Sequence, residues 1–291
     1  MNRRYVRQLL ASAILALTVG AAYFFLSRHP EVGHQLQKTS PILLSELLGF
    51  YLLFMISLWL IFRGSLTLCK AKLPFGETLL VTCYSSVINF FGPLQSGPAF
   101  RALYLKKKHQ ISVKQYASAS LVYYFFYAFY SAVFISVGYF GWWSLGAGLF
   151  CLGALKFILR SKYIHQTRLG SVASLNSTGL AQTALATLMQ VSILAIIFYL
   201  ELHSISGSVT FRQALIYTGS ANFALFVSVT PGAIGFRESF VLVTEKLHHI
   251  PNDVVVAASL LDSGVYVAIL LLLGLAIFGS HARNNLKHLT S

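Results

Sequence analysis

Acidic residues are scarce in this sequence. Only 8 of 291 residues are Asp or Glu, and charged residues of every kind make up 10%, against roughly 25% in soluble domains. A chain that is also 56% hydrophobic cannot cover its apolar surface in water. Cysteine is nearly missing as well. Cys69, Cys83 and Cys151 are odd in number and far apart, which excludes a disulfide framework and a zinc-type spacing. The histidines fall mostly in polar stretches, and none forms an HExxH or similar ligand pattern. No metal and no cofactor is therefore expected. Proline is rare, so Pro93, Pro98 and Pro231 stand out where they interrupt apolar runs.

What the chain has instead is long apolar runs and positive charge. Its mean hydropathy is +0.68. A membrane helix needs roughly 20 apolar residues, whereas a membrane β-strand alternates apolar and polar residues over about ten. The runs here do not alternate, so the fold class is all-α and polytopic. The net charge is +14. In a soluble protein that would point to nucleic acid. In a membrane protein Lys and Arg collect in cytoplasmic loops and set orientation, and some meet anionic headgroups; no nucleic-acid partner is expected.

Six full spans are expected, over residues 9–26, 42–62, 116–137, 144–158, 174–200 and 254–278. The first follows Arg3, Arg4 and Arg7 and exceeds the 7–15 residues of a secretory h-region; it reads as a retained span. Residues 27–40 then form an outer loop, and residues 201–210, which hold no Lys or Arg, another. Trp142 and Trp143 mark an interface. On this topology both termini are cytoplasmic, and 17 of the 22 basic residues lie inside.

Two further apolar segments fit no simple span. Residues 77–91 are short for one and are followed by Gly92, Pro93, Gly97 and Pro98, then by Arg101 and Lys106, Lys107 and Lys108. A crossing here would export the densest basic cluster in the chain. A hairpin over residues 77–104 that enters and leaves on the cytoplasmic side avoids this. Broken backbone at membrane depth is tolerated only where protein buries it or it lines a cavity. The second segment, residues 211–247, breaks at the run TPGAIG, residues 230–235, and returns to the outer side. Pro93 and Pro231 align at the same shift as Gly97 and Gly235. The two hairpins face opposite sides, so an inverted repeat is expected, with cores at about residues 77–137 and 211–278 of a single domain. The simpler alternative is eight plain spans with prolines as kinks.

Polar groups inside apolar runs are the candidate functional residues. Arg101 and Arg237 lie in the first turns of helices that begin near Gly97 and Gly235. Helix N-termini favour anions, and an arginine fork suits phosphate; the alternative is that both side chains snorkel. Asp262 lies about nine residues into the last span, where it can pair with Arg237 or carry a coupling proton. Glu46 sits near the outer end of its span, and an interfacial position explains it equally well. Glu77 begins or caps a helix. Asn89 and Asn222 precede the breaks and suit freed backbone groups. The aromatic run at residues 123–130 lines a lipid groove or, more commonly, packs in a core.

The stretches SGPAFRALYLKKKHQIS (residues 96–112) and TPGAIGFRES (residues 230–239), on a polytopic layout with a basic start, resemble the lysylphosphatidylglycerol synthase transmembrane-region family, the flippase-like domains. The resemblance covers nearly the whole chain. Family members look like P-x-G-x-x-G-x-x-E, which here gives Pro231, Gly232, Gly235 and Glu238, with Arg237 beside the acid. Many members look like G-E-x-x-R where this chain has Gly97, Pro98 and Arg101; the arginine is kept and the acid is not. An acidic or basic pair typical of the next helix is replaced by Tyr123 and Tyr124. The resemblance implies lipid translocation, in the bacterial inner membrane. In bifunctional members a separate cytosolic domain makes the aminoacyl lipid. These 291 residues leave no room for one, so synthase activity is not expected of them.

The expected function is thus translocation of an anionic phospholipid or lipid-linked phosphate, with the headgroup held between two hairpin tips. The expected binding residues are Gly97, Arg101, Pro231, Gly232, Gly235, Arg237 and Glu238. Asp262, Glu46 and Glu77 are candidates for coupling or ion pairing, and Asn89, Pro93 and Asn222 for shaping the breaks. Membrane lipids are the expected partners, with a second copy or an envelope-synthesis enzyme as further possibilities. The competing readings are a membrane-embedded enzyme on lipid phosphates, for which no paired-carboxylate motif is found, and a scaffold for envelope synthesis.

Overall fold

The structure, a computed structural model, describes residues 20, 23–24, 27–28, 30–91, 96–146, 148, 176–227 and 245–286. Within them every regular element is helical. The helices are α1 (Pro30–Lys38), α2 (Pro41–Leu68), α3 (Phe75–Phe91), α4 (Ser96–His109), α5 (Val113–Phe140), α6 (Ser177–Ile205), α7 (Phe211–Val227), α8 (Glu245–His248) and α9 (Asn252–Leu286). Four are long and apolar enough to cross a membrane: α2, α5, α6 and residues Asn252–Leu275 of α9. They coincide with four of the six expected spans. The other two, residues 9–26 and 144–158, lie wholly or largely outside the described residues.

Each of the first three long helices starts at a side-chain cap. Ser40 Oγ accepts from the Leu43 N–H at 3.2 Å, with Pro41 supplying a preset φ at the first helical position. Ser112 Oγ accepts from Gln115 N–H and Asn176 Oδ1 from Thr178 N–H. At the end of α5, Gly141 takes φ +90° and its N–H returns to the Val137 carbonyl, a backbone turn that favours glycine. Beyond it Trp142 and Trp143 are exposed.

Lipid gives helices no hydrophobic reason to associate, so close approach of small residues carries much of the packing. Helices α2 and α6 pack along much of their length, as do α5 and α7. A Cβ on Gly64 of α2 would stand 2.5 Å from Thr183 Oγ1 of α6, and one on Gly219 of α7 would stand 2.5 Å from the Ser131 carbonyl of α5. The largest buried cluster joins α2, α6, α7 and α9 through Leu47, Ile197, Leu202, Tyr217 and Leu261. A second joins α2, α4 and α5 through Phe62, Leu66, Leu105 and Tyr116.

The two ends of the bundle differ in charge. At one end the C-terminus of α2, the mouth of α3 and α4, and the start of α5 gather Lys70, Lys72, Lys106, Lys107, Lys108 and Lys114. Among the described residues Glu77 is the acid at that end. Helix α3 leaves this basic end and α4 comes back to it, since His109 at the end of α4 lies 2.6 Å from Glu77 in the first turn of α3. At about 25 Å, the 17 residues of α3 are short for a full crossing. Helices α7 and α8 meet at the other end. Arg212 at the start of α7 donates to the Gly138 carbonyl near the end of α5, and Gln213 donates to the His249 carbonyl just after α8.

Some boundaries differ from the sequence reading. Residues 30–38, expected in a loop, form α1, which packs on α9. Glu201, expected in an outer loop, belongs to α6 and is fully buried. His248, expected in a polar turn, is fully buried, and its Nδ1 accepts from the Ile250 N–H. Hydropathy windows end where apolar residues end. Helices continue as long as backbone hydrogen bonds and packing hold, which is why α9 runs on to Leu286.

Candidate functional site

The first hairpin carries one arginine into the bundle. Arg101 lies on the second turn of α4, and its Nε donates to Ser85 Oγ on α3 at 2.6 Å. Its guanidinium stacks over the Phe62 ring of α2 at 5.2 Å. Neither contact neutralises the charge. Among the described residues no carboxylate lies within ion-pair distance of Arg101. Tyr123 and Tyr124 on α5 and Tyr266 on α9 lie within electrostatic range of it. A cation held by a hydroxyl and an aromatic face, with no described carboxylate paired to it, can accept an anion.

The sequence places Ser85 within the run TCYSS, the polar interior of a short apolar stretch. The local fold explains its use. Thr82, Ser85 and Ser86 are all buried; Ser85 Oγ and Ser86 Oγ both donate to the Thr82 carbonyl, one turn back. Ser85 thereby keeps its lone pairs turned toward Arg101.

Gly97 stands where α4 first meets α3. Its N–H donates to Asn89 Oδ1 at 3.3 Å, and Ser96 Oγ donates to the Ile88 carbonyl at 2.9 Å. The Gly97 N–H, expected as an open anion donor, is therefore used to close the break. Asn89 acts as a side-chain cap across the hairpin. Pro93 lies outside the described residues, as do Pro231, Gly232, Gly235, Arg237 and Glu238.

Asp262 is buried in α9 and accepts from the Tyr51 hydroxyl of α2. Tyr266, one turn further on, lies within electrostatic range of both Asp262 and Arg101. Its ring packs against Tyr51, Phe54 and Phe90. Asp262 thus adjoins this aromatic cluster, and the Arg101 charge is in electrostatic range of its Tyr266. Asn222 of α7 is 1% exposed. It accepts from Tyr127 Oη at 2.7 Å and donates to Ser131 Oγ at 3.1 Å, so it locks α7 to α5 through side chains; the break it was expected to serve lies outside the described residues. The aromatic run divides by face. Tyr127 and Tyr130 pack on Val191, while Phe125 is exposed and stacks on Phe129. Glu46 is exposed near the start of α2.

Glu77 does more than begin α3. Its Oε1 accepts from Tyr104 Oη at 2.6 Å and pairs with Lys108 at 2.9 Å and His109 at 2.6 Å. Three residues of the returning arm meet on one carboxylate oxygen. The spacing of Tyr104 and Lys108, four apart on one helix face, is the signal that was available for this. Desolvation alone would raise the Glu77 carboxyl. The hydrogen bonds from Tyr104, Lys108 and His109, with the Lys108 charge, outweigh it and hold the pKa at about 2. The folded protein therefore binds this proton less readily than the unfolded chain. The stability Glu77 contributes is fully present above the ordinary carboxylate pKa of 4.5 and is lost as pH falls from there toward about 2. In detergent, the melting midpoint of wild type should exceed that of Glu77→Gln by a constant margin at neutral pH. That margin should shrink below about pH 4.5; one that stays constant down to about pH 3 would contradict the lowered pKa.

No metal-holding group of His, Cys, Asp or Glu occurs among the described residues. In comparisons with known proteins, residues 10–274 match the family model described as the lysylphosphatidylglycerol synthase TM region. No curated protein matches the chain.

Proposed function

Because the chain belongs to the lysylphosphatidylglycerol synthase transmembrane-region family, we propose that this membrane protein moves the headgroup of an anionic lipid across the bilayer at a site anchored by Arg101. The observation that carries the reading is the setting of that guanidinium. It sits inside the bundle, oriented by Ser85 and Phe62, with no acid against it among the described residues. Burying a lone cation is costly in an apolar medium. A passing phosphate offsets that cost, and Arg101 lowers the cost of burying the phosphate in turn.

On this reading the basic end faces the cytoplasm. The hairpin of α3 and α4 enters from that side, and the segment from α7 to α8 enters from the other. Their opposite mouths support an inverted repeat, in which such paired breaks flank a midplane site. With proline at position 98 where many family members carry an acid, Asp262, which accepts from Tyr51 and lies one turn from Tyr266, is the candidate coupling carboxylate. The protein acts as a transporter and not as an enzyme.

The test is reconstitution in liposomes with head-labelled phosphatidylglycerol and a membrane-impermeant quencher added outside. Transport leaves only a minor protected fraction of label, while protein-free vesicles protect about half, the inner leaflet. Protection at the protein-free level would refute the proposal. Chemical conversion of the lipid without movement would assign the site to an enzyme instead.

A further inference from the structure

A second feature lies on the outside of the bundle, away from Arg101. Helices α2 and α6 cross tightly at Gly64 and Thr183. Beside this crossing they leave a groove of about 250 Å³, lined by Leu60, Arg63, Gln182, Leu185, Ala186 and Met189. Phe62 and Arg63 are neighbours, and successive helical residues point about 100° apart. Phe62 therefore faces inward under Arg101 while Arg63 faces out into the groove.

The groove is graded along the bundle axis. Arg63 and Gln182 are the lining residues nearest the basic end. Leu60, Leu185, Ala186 and Met189 lie one or two turns deeper. Arg63 is exposed, its guanidinium stacks over the Trp59 ring at 5.0 Å, and among the described residues it pairs with no carboxylate. Glu77, the acid at that end, is already engaged by Tyr104, Lys108 and His109. Gln182 Oε1 accepts from Thr67 Oγ1 at 3.0 Å, which fixes the side chain, and its amide N–H groups bond no described residue. Two sets of donors thus stand at the polar rim of an apolar trough. Leu185, 67% exposed, opens that trough to the surrounding hydrocarbon.

We infer that this groove is a binding site for a resident anionic phospholipid of the leaflet at the basic end, separate from the transport site. The phosphate lies against Arg63 and the Gln182 amide, and one acyl chain follows Leu60, Leu185 and Met189 inward. The order of the lining residues matches the order of an amphiphile in that leaflet, head outward and chain inward. The guanidinium selects negative charge. A zwitterionic lipid fills the trough equally well but brings an ammonium toward Arg63.

Trp59 supplies the readout, because the other two tryptophans, Trp142 and Trp143, are exposed at the far end of α5. In a Trp142→Phe/Trp143→Phe background, Trp59 emission is recorded in phosphatidylcholine vesicles. Increasing fractions of brominated phosphatidylglycerol are added, or of brominated phosphatidylcholine. The brominated anionic lipid should quench at about tenfold lower mole fraction, the size expected of one charged hydrogen bond. Arg63→Ala, an exposed position whose melting midpoint should match the parent, should bring the two curves together. Arg101→Ala should leave the preference intact, which separates this site from the transport site. Coincident curves in the parent protein overturn the inference. So does a preference that survives Arg63→Ala, or one lost in Arg101→Ala alone.

Discussion

Replacing Arg101 with alanine should lower headgroup transport by about ten- to a hundredfold, the range that loss of a charge-assisted hydrogen bond represents. The variant removes the cation and its bond to Ser85 but leaves the α3–α4 junction at Gly97 and Asn89 intact. Its melting midpoint should therefore stay close to that of wild type while its rate falls. Arg101→Lys makes the expectation sharper. Lysine keeps the charge but cannot make the planar fork or stack in the same way on Phe62, so its rate should fall between the two. Selectivity should change with rate. Wild type should prefer anionic headgroups, and Arg101→Ala should move anionic and zwitterionic lipids alike at a low rate. An alanine variant that transports at the wild-type rate would remove Arg101 from the pathway and sink the proposed site.

Gly97→Ala should destabilise the protein even though helix propensity argues the reverse. Exchanging Gly for Ala in a helix interior gains up to about 1 kcal/mol. At Gly97 the added Cβ would stand 2.6 Å from the Ser85 carbonyl and 2.9 Å from Asn89 Cβ. The first of these is backbone and cannot rotate away. Overpacking of this kind costs about 1–3 kcal/mol, so the contact wins, and Gly97→Val should cost more than Gly97→Ala. Gly49 in α2 is the control. A Cβ there meets nothing within 4 Å, so Gly49→Ala should be neutral or mildly stabilising. Melting midpoints of the three variants test the order. If Gly97→Ala melts no lower than Gly49→Ala, the close hairpin junction is wrong. Gly97→Ala should also slow transport, since Ser85 lies on both the crowded carbonyl and the Arg101 contact.

How far the sequence carried varied with the kind of interaction. The break after residue 91 was visible because Gly92, Pro93, Gly97 and Pro98 interrupt an apolar run. The return of the chain to the basic end was visible because the lysines after it could not be exported cheaply. Arg101 was visible because charge among apolar residues is rare. Ser85 was not, since buried serines are common in membrane helices and only a partner sixteen residues away gives this one a role. Tyr51 was also hidden, being an ordinary aromatic until α2 packed on α9 and brought it to Asp262. Glu201 and His248 looked like loop polars because hydropathy windows dilute a single charge at a helix end.

Composition and local pattern by themselves determined that this chain is a helical membrane protein with a helix broken after residue 91 and lysines gathered at one end. Solvent sets those properties: apolar length, backbone satisfaction and the cost of exporting lysines act on each segment separately. Only the tertiary structure decided which polar groups meet. Arg101 reaches Ser85 and Phe62, Glu77 gathers the returning arm, and Arg63 turns outward to a groove of its own. Such contacts depend on how helices rotate about their axes and how closely small residues let them approach. Those are properties of pairs of segments, and no single stretch of sequence carries them.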